Sequence, residues 1–346
     1  MLCFAPVPDL TAAPEDSVRI GLVLNPETEI GRSVRQAAEL AVEHANQEGG
    51  FNGRPFNLIV RSDEGLWGGG ITQMSRLILN DDVWVVLGSL DGESAHLVEQ
   101  VINKRHTPYI TFWVGDPTLA EAGITYFFRA NPDDVRQTEA IVAAIKRSGA
   151  RTLVTVEDGS YDGRLGRTEF VKTATRGGLQ VLARHNLKEE DSRRVLREIR
   201  RTNPDGVVLY GLPPAMADFL RDLRGTGVTV PVYGPLLLSD DRFVRAAATD
   251  ESPVWVVKPG YVGTEKGEWF RKTFEQKYGV PPRPAAAYGY DAVMVAVRAI
   301  RSAGLDRFRI RDHLAETHYE DALTGPIRFD EKGNRIGEVE LFKVSK

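Results

Sequence analysis

The sequence predicts an α/β protein of two similar lobes, each a parallel sheet covered on both faces by helices. Three observations carry that expectation. Apolar strand-like runs alternate with segments whose apolar residues recur at helical spacing. The alternation restarts after FFRANPDD, residues 127–134. The 346 residues suffice for two domains, and 42% hydrophobic with 27% charged residues excludes a mostly disordered chain. A single cysteine excludes an internal disulfide and a four-cysteine zinc site, so folding rests on packing.

The elements follow in order. VRIGLVL, residues 18–24, is the first strand and ends in the turn-prone NPETEIG. In residues 31–50, Val34, Ala37, Ala38, Leu40, Ala41 and Ala45 recur at helical spacing before Gly49 and Gly50 stop the helix. Strands at 55–63, 83–89 and 107–113 alternate with helices at 71–81 and 92–106, the pattern of a parallel sheet with both faces covered. In the second unit, helices at 135–150, 165–178, 192–204 and 214–227 separate strands at 151–158, 179–187, 205–212 and 230–238. VWVVKPGY, residues 254–261, leads out to helices at 267–279 and 285–304. TGPIRFDEKGNR and GEVELFKV read as two strand-like pieces joined by a glycine-containing turn. Residues 1–17 read as a tail or linker.

Other function classes lack their signatures. Lys and Arg total 44 against 48 Asp and Glu, so the net charge of −4 offers no field for nucleic acid. Arg193–Arg194 and Arg200–Arg201 sit among acids and read as a solvated helix face. No apolar run reaches the roughly 18 to 20 residues that cross a bilayer. LWGGG, residues 66–70, lacks the Lys-Ser/Thr of a phosphate loop, and the first strand lacks the glycine triplet of a dinucleotide turn. There is no HExxH, CxxC or GxSxG, so no cofactor, metal or enzymatic activity is expected. Asp63, Asp91, Asp116 and His96 have the residue types of a hydrolytic cluster, with loop capping as their plain alternative. Cys3 is either a lipid-carrying cysteine whose leader is absent from this chain or an accidental residue of the tail.

In a parallel sheet, ligands lie beyond the carboxyl ends of the strands, where helix N-termini present unpaired N–H groups. That rule nominates Asn25 and Glu29, then Trp67, then Ser89, Asp91, Gly92, Glu93 and Ser94, then Thr111, Trp113, Gly115 and Asp116 in the first unit. Tyr161 and Tyr210 hold analogous positions in the second. In GSLDGES the N–H groups near Gly92, Glu93 and Ser94 suit an anion, or else Asp91 or Ser94 caps them internally. Trp67, Trp113, Tyr161, Tyr210 and Tyr261 are the aromatics at loop mouths, suited to a small ligand or to packing.

IGLVL, ANQEGGFNGRPFNLIV, TPYIT, FFRANPDD and AYGYDAV occur in the order and spacing of the branched-chain amino acid type of ABC-transporter substrate-binding protein, which the chain resembles from Val18 to Val344. The resemblance implies a type I periplasmic-binding-protein fold, each lobe a three-layer α/β/α sandwich. It implies lobes of residues 18–128 plus 260–325 and 131–256 plus 326–346, with crossings near Arg129–Ala130, Lys258–Pro259 and Thr324–Gly325. It further implies an extracytoplasmic, lipid-anchored or free protein that captures a small polar ligand by lobe closure and serves ABC permease subunits. A monomer is expected, with a weak dimer as the alternative. The family's carboxylate-holding hydroxyls are missing at Gly92 and Gly115, its aromatic contact is kept at Tyr161, and its amine-receiving acid is replaced by Leu236. Asp91, Asp116 or Glu29 could supply the acid and Arg129 a carboxylate contact. An amino acid and an aromatic or amide-bearing metabolite both stay open, as do a sensory domain and a hydrolase built on cleft carboxylates.

Overall fold

The alternation of strands and helices resolves into two separate sheets in a computed structural model that describes residues 16–63, 69–123, 125–248 and 252–344. The first unit runs β1 (Val18–Val23), α1 (Glu29–Gln47), β2 (Phe56–Arg61), α2 (Gly69–Leu79), β3 (Val85–Leu87), α3 (Gly92–Arg105), β4 (Tyr109–Thr111) and β5 (Phe127–Arg129). Its five strands pair all-parallel in the order β2-β1-β3-β4-β5. A 3-10 helix, Pro117–Ala122, separates β4 from β5.

The second unit runs α4 (Asp134–Arg147), β6 (Thr152–Glu157), α5 (Tyr161–Arg176), β7 (Gln180–Asn186), α6 (Ser192–Thr202), β8 (Gly206–Tyr210), α7 (Pro213–Gly225), β9 (Val232–Gly234), α8 (Asp241–Ala248) and β10 (Val254–Val257). The chain then adds α9 (Glu265–Tyr278), α10 (Pro284–Ala303), α11 (Arg307–Ala315), β11 (His318–Tyr319), β12 (Ile327–Arg328) and β13 (Leu341–Lys343). The second sheet has the order β13-β10-β9-β8-β6-β7, parallel except for β13 at its edge.

Local chemistry sets the ends of these elements. Thr28 caps α1 by accepting from Gly31 N–H at 3.0 Å, and the apolar stripe from Val34 to Ala45 is buried as the spacing predicts. That stripe meets α10, whose small residues allow close packing: a Cβ on Gly289 would stand 2.9 Å from Val34. Two α-helices absent from the sequence reading, α8 and α11, are short, so each offers only about two turns in which a period could show.

Both strand-like pieces of the tail form strands, each with a partner elsewhere: β12 pairs with β11, and β13 with β10. The chain between them is held elsewhere. Asp330 turns it by accepting from the N–H groups of Lys332 and Asn334, and Arg129 N–H donates to Gly333 C=O at 2.8 Å. Arg335 is buried, and its guanidinium donates to the carbonyls of Ala130, Thr324, Gly325 and Pro326 at 2.7 to 3.1 Å.

Thr324 is the meeting point of this region. Asp291, fully buried on α10, accepts from the N–H of Leu323, the N–H of Thr324 and the Thr324 hydroxyl, while Arg335 also reaches that hydroxyl at 2.8 Å. Gly260 lies against the same residue, since a Cβ there would be 2.0 Å from Thr324 C=O. Truncating Asp291 to alanine strands three donors and removes the nearest acid from a buried cation. Asp291→Ala is therefore expected to lower stability by about 3 kcal/mol or more. Thermal unfolding by calorimetry checks this, and an unchanged midpoint would contradict the role given to the contact.

Candidate functional site

The carboxyl ends of both sheets face a shared cleft. Its outer part, of about 750 Å³, is lined by Asn25, Asp91, Ser94, Trp113, Leu212 and Leu237 among others. A smaller cavity of about 40 Å³ is lined by Trp113, Asn131, Asp134, Asp162, Tyr210 and Leu236, among others. Leu90, Trp113 and Leu237 line both, so the two spaces adjoin.

The two glycines where the resemblance implies hydroxyls have a physical explanation. A Cβ on Gly115 would stand 2.2 Å from Asp134 Oδ1, and one on Gly92 would stand 2.7 Å from Asp162 Oδ1. Each glycine makes room for a carboxyl carried by the first turn of a helix in the second unit. Asp134 N–H also donates to Gly115 C=O at 2.8 Å, and Gly92 N–H donates to Asp162 at 3.0 Å. Burial, reinforced by the charge of Asp162, pushes the Asp134 carboxyl up to about 8. Burial and then the charge of Asp91 push Asp162 to about 7, against the pull of the Gly92 hydrogen bond.

Beside these lies a second acidic group built around a histidine. His96 Nε2 is 2.9 Å from Asp116 Oδ2, and its Nδ1 is 3.2 Å from Glu99 Oε2. The hydrogen bonds that the ring donates to Asp116 and then Glu99 raise the imidazole to about 9, so it is a cation at neutral pH and no general base. Burial pushes Asp116 up, but hydrogen bonds from His96 and Thr118 outweigh it and leave the carboxyl below its ordinary value. Tyr161 donates to the same carboxylate at 3.3 Å, so α5 touches the loop after β4 here as well.

Every nominated residue except Trp67 has a described place. Asn25 lines the outer cleft, with its side chain accepting from Glu27 N–H. Trp67 lies outside the described residues. Ser89 is buried with its hydroxyl 3.1 Å from that of Tyr109, Thr111 is buried in β4, and neither is among the residues lining the two cavities. Asp91 caps α3 through Ser94 N–H at 2.8 Å, the internal alternative to an anion site; Glu93 and Ser94 line the outer cleft. Trp113, Gly115, Tyr210 and Leu236 line the small cavity, and Leu236 N–H is taken by Gln137 Oε1 at 2.7 Å.

The proposed substitutes for missing charges are committed elsewhere. Arg129, fully buried, spends its guanidinium on the carbonyls of Val114 and Asp116 and so shapes the loop from behind. Glu29 meets Arg283 at 2.5 Å and Arg242 at 3.3 Å on the rim, and Arg283 reaches Asp241 at 3.1 Å. Asn131, Asp134 and Asp162 were not nominated. The rule about helix N-termini would have found them had it been applied to the segment after β5 and to the residue beside Tyr161.

The His96 geometry has a direct consequence for pH. A histidine raised in the folded state contributes stability that is complete below its unfolded value of about 6.5 and is lost as pH rises through about 9. Nitrogen-15 NMR of the imidazoles is expected to find His96 titrating near 9, and a midpoint near 6.5 would contradict the paired geometry.

Comparison with known proteins agrees with the architecture. A family described as periplasmic binding protein matches residues 18–346. The leucine-, isoleucine-, valine-, threonine- and alanine-binding protein of Pseudomonas aeruginosa is 23% identical over 92% of this chain and 87% of its own length. An ABC-transporter substrate-binding protein from Desulfitobacterium hafniense, solved with Leu, superposes with a TM-score of 0.84 at 21% identity, covering 95% of this chain and 98% of that one. A solute-binding protein from R. palustris, solved with benzoate, gives 0.82 at 20% identity over 95% and 93% of the two chains. With two α/β units on one cleft and a match across all but the first residues, the chain belongs to the periplasmic binding protein family, whose members bind solutes without catalysis.

Proposed function

We propose that the protein is the extracytoplasmic solute-binding component of an ABC uptake system, taking a small organic solute between two lobes and presenting the closed form to membrane permease subunits. The closing bodies are residues 18–128 plus 260–325 and residues 131–256 plus 326–346. One observation carries the reading: groups from the two units pair directly beside the cavity, with Gly92 N–H on Asp162 and Tyr161 on Asp116. Closure of this kind excludes water and makes a surface that differs from the open form.

Related proteins accommodate aliphatic and aromatic solutes, as the Leu and benzoate complexes illustrate. The groups lining this cavity argue for a solute that brings hydrogen-bond donors. Asp134 and Asp162 occupy the room beside Gly115 and Gly92, and Leu236 brings no acid of its own. A solute carboxylate in this cavity would also meet Asn131 Oδ1, which only accepts because its Nδ2 is already used.

The same acids link closure to protons. Hydrated in an open cleft, they ionise at ordinary values; in the closed cleft Asp134 sits at about 8 and Asp162 at about 7. Closing the empty protein therefore takes up protons, and the closed population falls as pH rises through about 7 to 8. X-ray scattering of solute-free protein is expected to give a smaller radius of gyration at about pH 6 than at about pH 8.5. An equal radius at both would contradict the link. Capture itself is tested by screening amino acids, aromatic acids and neutral polar solutes for thermal stabilisation, then measuring scattering with any that bind; binding without compaction would contradict lobe closure.

A further inference from the structure

We infer that the solute carries a neutral carboxamide head, seated in the small cavity against Trp113, Asn131, Tyr210 and Asp134, with an apolar body in the outer cleft. This rests on the reading of the cleft as a solute site and names the chemistry that site selects. Three polar atoms on residues lining the cavity are buried without a partner: Trp113 Nε1, Asn131 Oδ1 and Tyr210 Oη. Their residues are 7%, 1% and 2% exposed. Buried polar atoms are nearly always paired, and these three belong to residues that line one cavity.

The identity of the atoms defines that complement. Trp113 Nε1–H only donates and needs an acceptor. Asn131 Oδ1 only accepts, because its Nδ2 already donates to the carbonyls of Val114 and Pro132 at 3.0 Å each. The Asp134 carboxyl stands at the same wall, with Gln137 Nε2 at 3.4 Å, and the Tyr210 hydroxyl serves either way. A carboxylate would satisfy Trp113 but turn an oxygen toward Asn131 Oδ1, which only accepts. An ammonium would satisfy Asn131 but turn a donor toward Trp113 Nε1–H. A carboxamide offers both, a carbonyl for Trp113 and an NH₂ for Asn131.

The outer cleft supplies Leu90, Leu97, Leu212, Pro213 and Leu237 for an apolar body. Its rim cations, Arg242 and Arg283, are paired with Glu29 and Asp241, so no distal acid is called for.

Calorimetric titration of the full chain with benzamide, isobutyramide, benzoate, benzylamine and leucine tests the inference. Both amides are expected to bind, benzamide at least about tenfold more tightly than benzoate and benzylamine. Trp113→Phe, checked for folding by its unfolding midpoint, should weaken benzamide about tenfold and leave benzylamine unchanged. Tighter binding of benzoate, benzylamine or leucine overturns the head-group assignment while leaving solute capture intact. Failure of all five to bind overturns the assignment, and capture falls with it only if a broad metabolite panel also leaves the scattering unchanged.

Discussion

The molecule depends on how its chain is pinned where the two sheets meet. Thr324 is gripped by Asp291 on one side and Arg335 on the other, and Gly260 packs against its carbonyl. Arg335 extends the grip to Ala130, so segments near 130 and 324 are joined through one buried guanidinium, with Gly260 packed on Thr324. A buried cation is costly to desolvate, and here carbonyl oxygens compensate it on several sides. Arg129 applies the same device to the loop after β4, fixing Val114 and Asp116 from behind. Two buried arginines thus hold the frame, one on the carbonyls of Ala130 and Thr324 and one under the cleft.

That frame lets the cleft store polarity that would otherwise seek water. Asp134 and Asp162 sit where glycines leave space, and both rise toward neutrality because burial disfavours their charge. The neighbouring acids Asp116 and Glu99 are instead held with protonated His96 between them. The contrast separates two roles. The His96 group ties α3 to the loop after β4, whereas the cavity keeps unpartnered donors and acceptors that a solute would satisfy.

Most of the fold was legible because periodicity is local. The α1 stripe from Val34 to Ala45 and the apolar runs of β1 and β8 declare their structure within one element. Strand ends then located Trp113, Gly115 and Tyr210 through a rule of parallel sheets. What stayed hidden is nonlocal. Nothing beside Gly92 or Gly115 in the sequence announces that Asp162, 70 residues away, or Asp134 fills the space, and the resemblance alone reads those glycines as losses. In the tail the two strand-like pieces are both strands, but their partners, β11 and β10, could not be read locally.

The most direct test of a cleft that closes on a solute is native mass spectrometry of freshly purified protein, with the released molecule identified. The account predicts a one-to-one complex with a small organic molecule that bears N–H donors and no free carboxylate at its buried end. A stoichiometric free amino acid or aromatic acid in the released fraction would contradict it.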